Sequence, residues 1–209
     1  VGTYLRVNER KALARAAARE VLATTPFHEL TLRAVAERLG WPLGTLHRAY
    51  SVSTALLNDV LLEYEREAYA AVFKPGPGGL ERELLAQAER WSDWLADPAH
   101  EQLQRYGVSL LCRQESPLAQ DVPHARTSSQ HYQQVLLGQI AAASGEAYRD
   151  PDALAALLAA LLDGATHSFF EHGDVDRLRA DQVAAVPLVV AQARIRVGTR
   201  RRVGVPAGA

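Results

Sequence analysis

Apolar residues recur three and four positions apart along nearly the whole chain, and strand-like alternation is hard to find; this periodicity restricts the fold to packed helices. Each such helix carries one apolar stripe to bury. A first helix is predicted over Asn8 to Ala23, with Leu13, Ala17 and Val21 four apart on one face. Thr25-Pro26 ends it, because proline pushes the preceding residue out of the helical region. A second helix follows Leu30, capped by Thr31 and stopped by Gly40, with Leu32, Val35, Ala36 and Leu39 inward. A short third helix starts at Pro42 and runs to about Ala49. Ser51 and Ser53 are the candidate caps of a fourth, which carries Leu56, Leu57, Val60, Leu61 and Tyr64.

Pro75-Gly76-Pro77-Gly78-Gly79 is a clear break. Beyond it, helices are predicted near Leu80–Ala96, Pro98–Gln114, Val122–Ser144, Pro151–His172 and Asp181–Val197. Asp97-Pro98, Ser116-Pro117 and Asp150-Pro151 each place a capping side chain before proline at a helix start. Pro187 should kink the last helix. The segment from Thr199 to Ala209, with Arg200, Arg201 and Arg202 and no apolar period, is expected to be a basic, disordered tail.

The bulk properties are those of a globular chain: 48% hydrophobic, 22% charged, net charge −1. No run approaches about 18 uncharged apolar residues, so no membrane span is expected. Val1 to Glu20 is basic and lacks a continuous apolar run, so it does not read as a secretory signal. The single cysteine, Cys112, forms no intrachain disulfide, which fits a cytoplasmic protein. Charge is unevenly spread. Residues 1–60 hold eight Arg/Lys against five Asp/Glu, a net +3, which leaves −4 for the rest. A basic end on an acidic body permits docking to phosphates by that end.

The stretch Thr31 to Tyr50 carries the chemistry: two short helices joined by a glycine-containing turn, the arrangement of a helix-turn-helix with the second helix as reader. Ala36 lets the helices cross closely, Val35, Leu39 and Leu46 fill the space between them, and Gly40 makes the turn. Leu43, Gly44, Thr45, His47 and Arg48 face outward. Gly44 admits a close backbone approach, and Thr45, His47 and Arg48 can donate to phosphates or base edges. Arg48 could reach a guanine bidentately, worth about 1–3 kcal/mol of discrimination.

This stretch resembles the N-terminal reader of the TetR family of transcriptional regulators. The resemblance rests on Leu30-Thr31-Leu32-Arg33, Val35-Ala36, Leu39-Gly40, Gly44-Thr45-Leu46, Tyr50 and Leu56-Leu57, and covers about Arg10 to Leu61. The later part matches that family in size and composition only. The resemblance implies an all-α fold with a three-helix helix-turn-helix domain (residues 1–52) and a helical effector-binding and dimerisation domain (residues 53–198). It also implies double-stranded operator DNA as partner, a DNA surface of Thr31, Arg33, Trp41, Leu43, Gly44, Thr45, His47, Arg48, Tyr50 and Ser53, and a homodimer built on the last two helices. Three positions depart from the family pattern: His47 stands for the usual tyrosine, Tyr50 for a phenylalanine and Ser53 for a lysine. The tyrosine and lysine are the family's typical phosphate contacts, so the salt-dependent part of affinity should be smaller.

For the dimer, Leu154, Leu157, Leu158, Leu161, Leu162 and Ala165 make a band too wide for one helix face, and Val183, Val186, Val190, Ala193 and Val197 line one side of the last helix. Two such helices from each subunit form a four-helix interface; the alternative is a monomer core built from the same residues. For a pocket, aromatic and polar residues interleave: Trp91, Trp94, Tyr106, Cys112, His131, Tyr132, His167, Phe169 and Phe170. They favour a small hydrophobic or aromatic effector, whose binding would release a repressor from DNA. Cys112, His124, His131 and His167 lack a compact metal-ligand spacing, and no metal or cofactor is expected. Two other function classes stay open at this point. One is a reader turned to protein–protein interaction, given His47, Ala49 and Ser53. The other is an all-helical enzyme, for which His167 with Asp163 is the best acid–base pair.

Overall fold

The computed structural model describes residues 6–112, 129–193 and 196–197, the side chains of 111, 112, 129, 196 and 197 excepted. Its helices are α1 (Val7–Leu22), α2 (Leu32–Leu39), α3 (Leu43–His47), α4 (Ser53–Val72), α5 (Leu80–Leu95), α6 (Pro98–Cys112), α7 (Ser129–Ser144), α8 (Pro151–His172) and α9 (Val175–Ala193). A 3-10 turn, Phe27–Glu29, leads into α2. The fold is all-α, with one two-residue antiparallel ribbon, Glu146–Ala147 (β1) against Arg196–Val197 (β2). The sites named at Ser116-Pro117, at His124 and in the tail after Gly198 lie outside the described residues.

Local chemistry explains most helix ends. The Ala34 amide donates to Thr31 Oγ1 at 3.1 Å, which caps α2. Gly40 closes it at φ 64°, and the Trp41 amide turns back to the Ala36 carbonyl at 2.9 Å. Asp97 and Asp150 accept from the amides of Ala99 (2.8 Å) and Ala153 (3.0 Å), so both Asp-Pro pairs open helices as read. Four ends differ from the sequence reading, one of them the end of α9, which stops at Ala193, while Val197, predicted as helical, pairs with Glu146 in the β1–β2 ribbon. Neither Ser51 nor Ser53 caps α4: its N-cap is Val52, without a side-chain bond. Helix α3 ends at His47, because the Ala49 and Tyr50 amides both fold back onto the Leu46 carbonyl. Helix α9 starts at Val175, six residues before the predicted Asp181, because Asp174 accepts from the Arg177 amide at 3.0 Å directly after the left-handed Gly173.

One apolar core joins α1, α2, α3, α4 and α6. The α1 face is turned by one residue from the predicted Leu13–Ala17–Val21 set: Ala14, Ala17, Ala18 and Leu22 are buried, Leu13 is exposed and Val21 half-buried. Small residues at that contact let α1 lie close against α2 and α4. A second core packs α5, α7, α8 and α9 through Leu80, Leu84, Leu136, Leu137, Ile140, Leu154, Leu158, Val186 and Val189. Leu154, Leu158 and Val186, assigned from sequence to a dimer interface, are therefore spent inside one protomer, none more than 4% exposed. Ala165 is buried likewise, in a third cluster with Leu95, Phe169 and Leu178. Leu157, Leu161, Leu162 and Val190 are half-buried and Val183 is exposed. Helix α8 is long and apolar enough by composition to cross a bilayer, but it carries Asp152 and Asp163, and it is packed against α7 and α9.

Candidate nucleic-acid interface and interior polar site

Helix α3 stands at the edge of the first core. Leu46 is its one buried side chain, with Leu43 half-buried beside it. That anchoring turns Gly44, His47 and Arg48 outward, and all three are exposed. Thr31 and Arg33 at the start of α2 are exposed too, while Trp41, Thr45 and Ser53 are half-buried. A Cβ built on Gly44 meets nothing within 4 Å, so the protomer itself does not require glycine there. Tyr50 is the exception in the predicted DNA set. It is 3% exposed and packs in the core. Its hydroxyl donates to Asp59 at 2.9 Å, and burial first, then Asp59, pushes its pKa up, so it stays protonated.

The basic residues of this end divide into two groups. Lys11, Arg15 and Arg19, one turn apart on α1, face Asp59, Glu63 and Glu67, one turn apart on α4. The closest approaches are 3.5, 3.2 and 2.6 Å. The Lys11 ammonium also lies 5.0 Å from the Tyr50 ring centroid. These pairs are partly exposed, and each singly is worth at most about 1 kcal/mol. As a ladder they fix the angle at which α1 meets α4. Arg38 is likewise paired, with Glu20. Arg33 and Arg48 form no ion pair with another described residue, so their charge faces outward unspent.

The predicted pocket residues do not converge. His131 and His167 are exposed, as is Asp163. The Cys112 side chain lies outside the described residues. Trp94 stacks on His100 with centroids 3.9 Å apart. Tyr106 is buried and donates to Asn58 Oδ1 at 2.6 Å. Trp91 reaches Thr166 Oγ1 at 3.4 Å, and Phe170 lies under the Arg105 guanidinium at 4.6 Å. Among the described residues no three His, Cys, Asp or Glu side chains gather to hold a metal.

Tyr132 belongs to a different group. Its ring lies 5.9 Å from both Tyr69 and Phe73, which are themselves 5.5 Å apart. Glu65 precedes Tyr69 by one turn of α4 and adjoins the buried Tyr64. The sequence shows only a spacing of four from Glu65 to Tyr69 on α4, and from Tyr69 to Phe73 at its end, which does not set Glu65 apart from the other acids of the helix. Glu65 Oε2 is shielded from solvent and has no hydrogen-bond partner among the described residues. Burial pushes its carboxyl up from 4.5 to about 7. Tyr132 is raised as well, by burial first and then by the nearby Glu65 and Tyr69.

A pH dependence follows from Glu65. A carboxyl whose folded pKa is raised opposes folding only when charged. It adds nothing below 4.5, opposes folding increasingly as pH climbs, and does so fully above about 7. Glu65→Gln should therefore gain about 1–2 kcal/mol over the parent at about pH 8, a figure discounted for partial solvent screening, and nothing at about pH 4. Urea unfolding at the two pH values measures this; an equal difference at both would refute the assignment.

No family model matches the chain, and no curated protein matches it. Solved structures do. A TetR-family regulator from Agrobacterium tumefaciens superposes with TM-score 0.68 at 17% identity, covering 88% of this chain and 98% of that one. A TetR-family regulator from Streptomyces coelicolor gives 0.67 at 14% identity, over 90% and 83% of the two chains. SmeT, the repressor of the Stenotrophomonas maltophilia multidrug efflux pump SmeDEF, gives 0.64 at 14% identity over 95% and 97%. The chain thus has the fold of TetR-family transcriptional regulators along nearly its whole length.

Proposed function

We propose that this chain is a DNA-binding transcriptional regulator, a cytoplasmic homodimer that represses until a small molecule releases it from its operator. The observation that carries this reading is the outward set Gly44, His47 and Arg48 on a helix anchored by Leu46, with Arg33 beside it and both arginines free of ion pairs to other described residues. Residues 1–52 are the reader and 53–198 the sensing and pairing body. The uncapped amino end of α4 offers backbone N–H groups to a phosphate, taking up part of the role the absent lysine would have played. Helix α4 belongs to both halves: its first turns hold the ladder to α1 and its last turns meet α7 at Tyr132. A ligand that tilts α4 changes the distance between the two readers of a dimer, which must lie about 34–36 Å apart to enter successive major grooves. Such a ligand prefers the non-binding spacing, and DNA must weaken ligand affinity by the same factor.

The test is titration of the purified protein onto the DNA upstream of its own gene at several salt concentrations. Arg48→Ala should weaken binding about tenfold or more. If Arg48 meets a phosphate, the salt slope falls by about one; if it meets a guanine, discrimination at that base falls by about 1–3 kcal/mol. Absence of any footprint at low salt ends the reading. An unchanged affinity for Arg48→Ala would point to the reader as a protein-interaction surface instead.

A further inference from the structure

We propose that Glu65, with the rings of Tyr69, Phe73 and Tyr132 beside it, recognises an organic cation: a lipophilic amine or quaternary ammonium ion. This rests on the reading of the chain as a ligand-responsive regulator and names the chemistry its ligand must have. Three observations meet at this place. Glu65 and Tyr69 project from one face of α4, one turn apart, and Phe73, the residue that ends the helix, stacks on Tyr69 with centroids 5.5 Å apart. Tyr132 of α7 approaches the same face and completes a three-ring cluster, with Phe73 and Tyr132 inclined by only 23°. One oxygen of the Glu65 carboxylate is closed off from water with nothing to accept from, and Glu65 forms no ion pair with another described residue.

A carboxylate in that position is expensive to keep. Desolvated charge without a partner disfavours the folded state. A glutamine or leucine would fill the volume without that cost, so the charge itself has a use. Aromatic faces carry negative potential and attract cations within about 6 Å of their centroids. A desolvated carboxylate attracts the same species far more strongly than water-exposed ones do. Carboxylate and rings together therefore favour a ligand with both positive charge and apolar bulk. A bare metal ion is a poor fit, since the rings supply no oxygen set and no three-ligand group exists among the described residues. An anion is repelled. Asp59, Glu63 and Glu67 are engaged with α1, so Glu65 alone of this acidic run is left for a ligand. Occupancy would also bear directly on the helix that sets the reader.

The test uses a matched pair of fluorescent probes, trimethylammonium-diphenylhexatriene and its uncharged parent diphenylhexatriene, titrated into the full chain. The cation should bind at least about tenfold tighter than the parent. Glu65→Gln should abolish that preference by weakening the cation about tenfold, while leaving the uncharged probe within about twofold. Tyr132→Leu, which keeps the carboxylate, should weaken the cation more than the uncharged probe. Circular dichroism checks that both variants fold. Equal affinity for the two probes, no binding of either, or a Glu65→Gln effect shared by both would overturn the proposal. Each protein is also titrated onto upstream DNA without probe. DNA binding that survives while the charge preference fails removes the cation and keeps the regulator; charge-selective binding without any DNA footprint does the reverse.

Discussion

Leu46→Ala is expected to cost about 2–5 kcal/mol of folding stability and, with it, most of the affinity for operator DNA, although residue 46 faces no DNA at all. Helix α3 is only five residues long. A helix of that length has no stability of its own, since nucleation outweighs the few hydrogen bonds it closes. What holds it is tertiary: Leu46 is fully buried in the cluster that contains Val35 and Ala36 of α2 and Leu56 and Leu57 of α4. Truncation leaves a cavity at the crossing of α2 and α3, where close packing leaves little slack to collapse into it. The outward residues Gly44, His47 and Arg48 then lose their fixed orientation together. Chemical unfolding measures the first effect, and hydrogen exchange over residues 43–47 shows whether α3 has loosened. A cost under about 1 kcal/mol with operator affinity intact would mean that α3 is held by something other than this contact. It would also weaken the case that its outer face is a rigid reader.

The parts of this molecule legible in sequence are those decided within a few residues. Thr31 and Gly40 bracket α2 because a hydroxyl cap and a left-handed stop act locally, and the Asp-Pro pairs open α6 and α8 for the same reason. The helix-turn-helix was legible because its whole core lies within about twenty residues. What was lost depends on distant partners. The face of α1 was misjudged by one position, since Ala14 and Ala18 are buried only because α2 and α4 come close enough to require small residues. Tyr50 reads as a core ring whose hydroxyl reaches outward; the ring is indeed buried, but the hydroxyl is taken by Asp59, nine residues later. The basic surplus of the first sixty residues reads as a DNA-facing charge, but Lys11, Arg15 and Arg19 are spent on α4. Glu65 was invisible because nothing in an acidic helical run says which acid will be turned inward.

The wide apolar band of α8 and α9 shows the same limit and leads to the second large prediction. Sequence alone did not say which leucines and valines serve the protomer and which face away. In the structure the second core takes Leu154, Leu158, Val186 and Val189. The exposed small and apolar residues include Ala156, Ala160 and Gly164 on α8, and Ala180, Val183, Ala184, Leu188 and Ala191 on α9, with Leu188 at 61%. These residues repeat at three and four, so each set shares one face. An outward face of small and apolar residues on two adjacent helices is what a second copy, brought up by a two-fold axis, would cover closely. Ala184→Glu with Leu188→Glu sets two charges one turn apart on that face and repeats them on the partner across the axis. The positions are exposed in the protomer, so its own stability should change by no more than about 0.5 kcal/mol at each. The dimer should not survive. Sedimentation should show a monomer at micromolar concentration. Operator affinity should fall about a hundredfold or more, because two half-sites bound by one dimer gain an effective concentration that separate monomers lack. A double variant that sediments as a dimer and keeps its operator affinity would move the two-fold axis to another face. The spacing of the two readers, on which the proposed release by a ligand depends, would then have to be set by different helices.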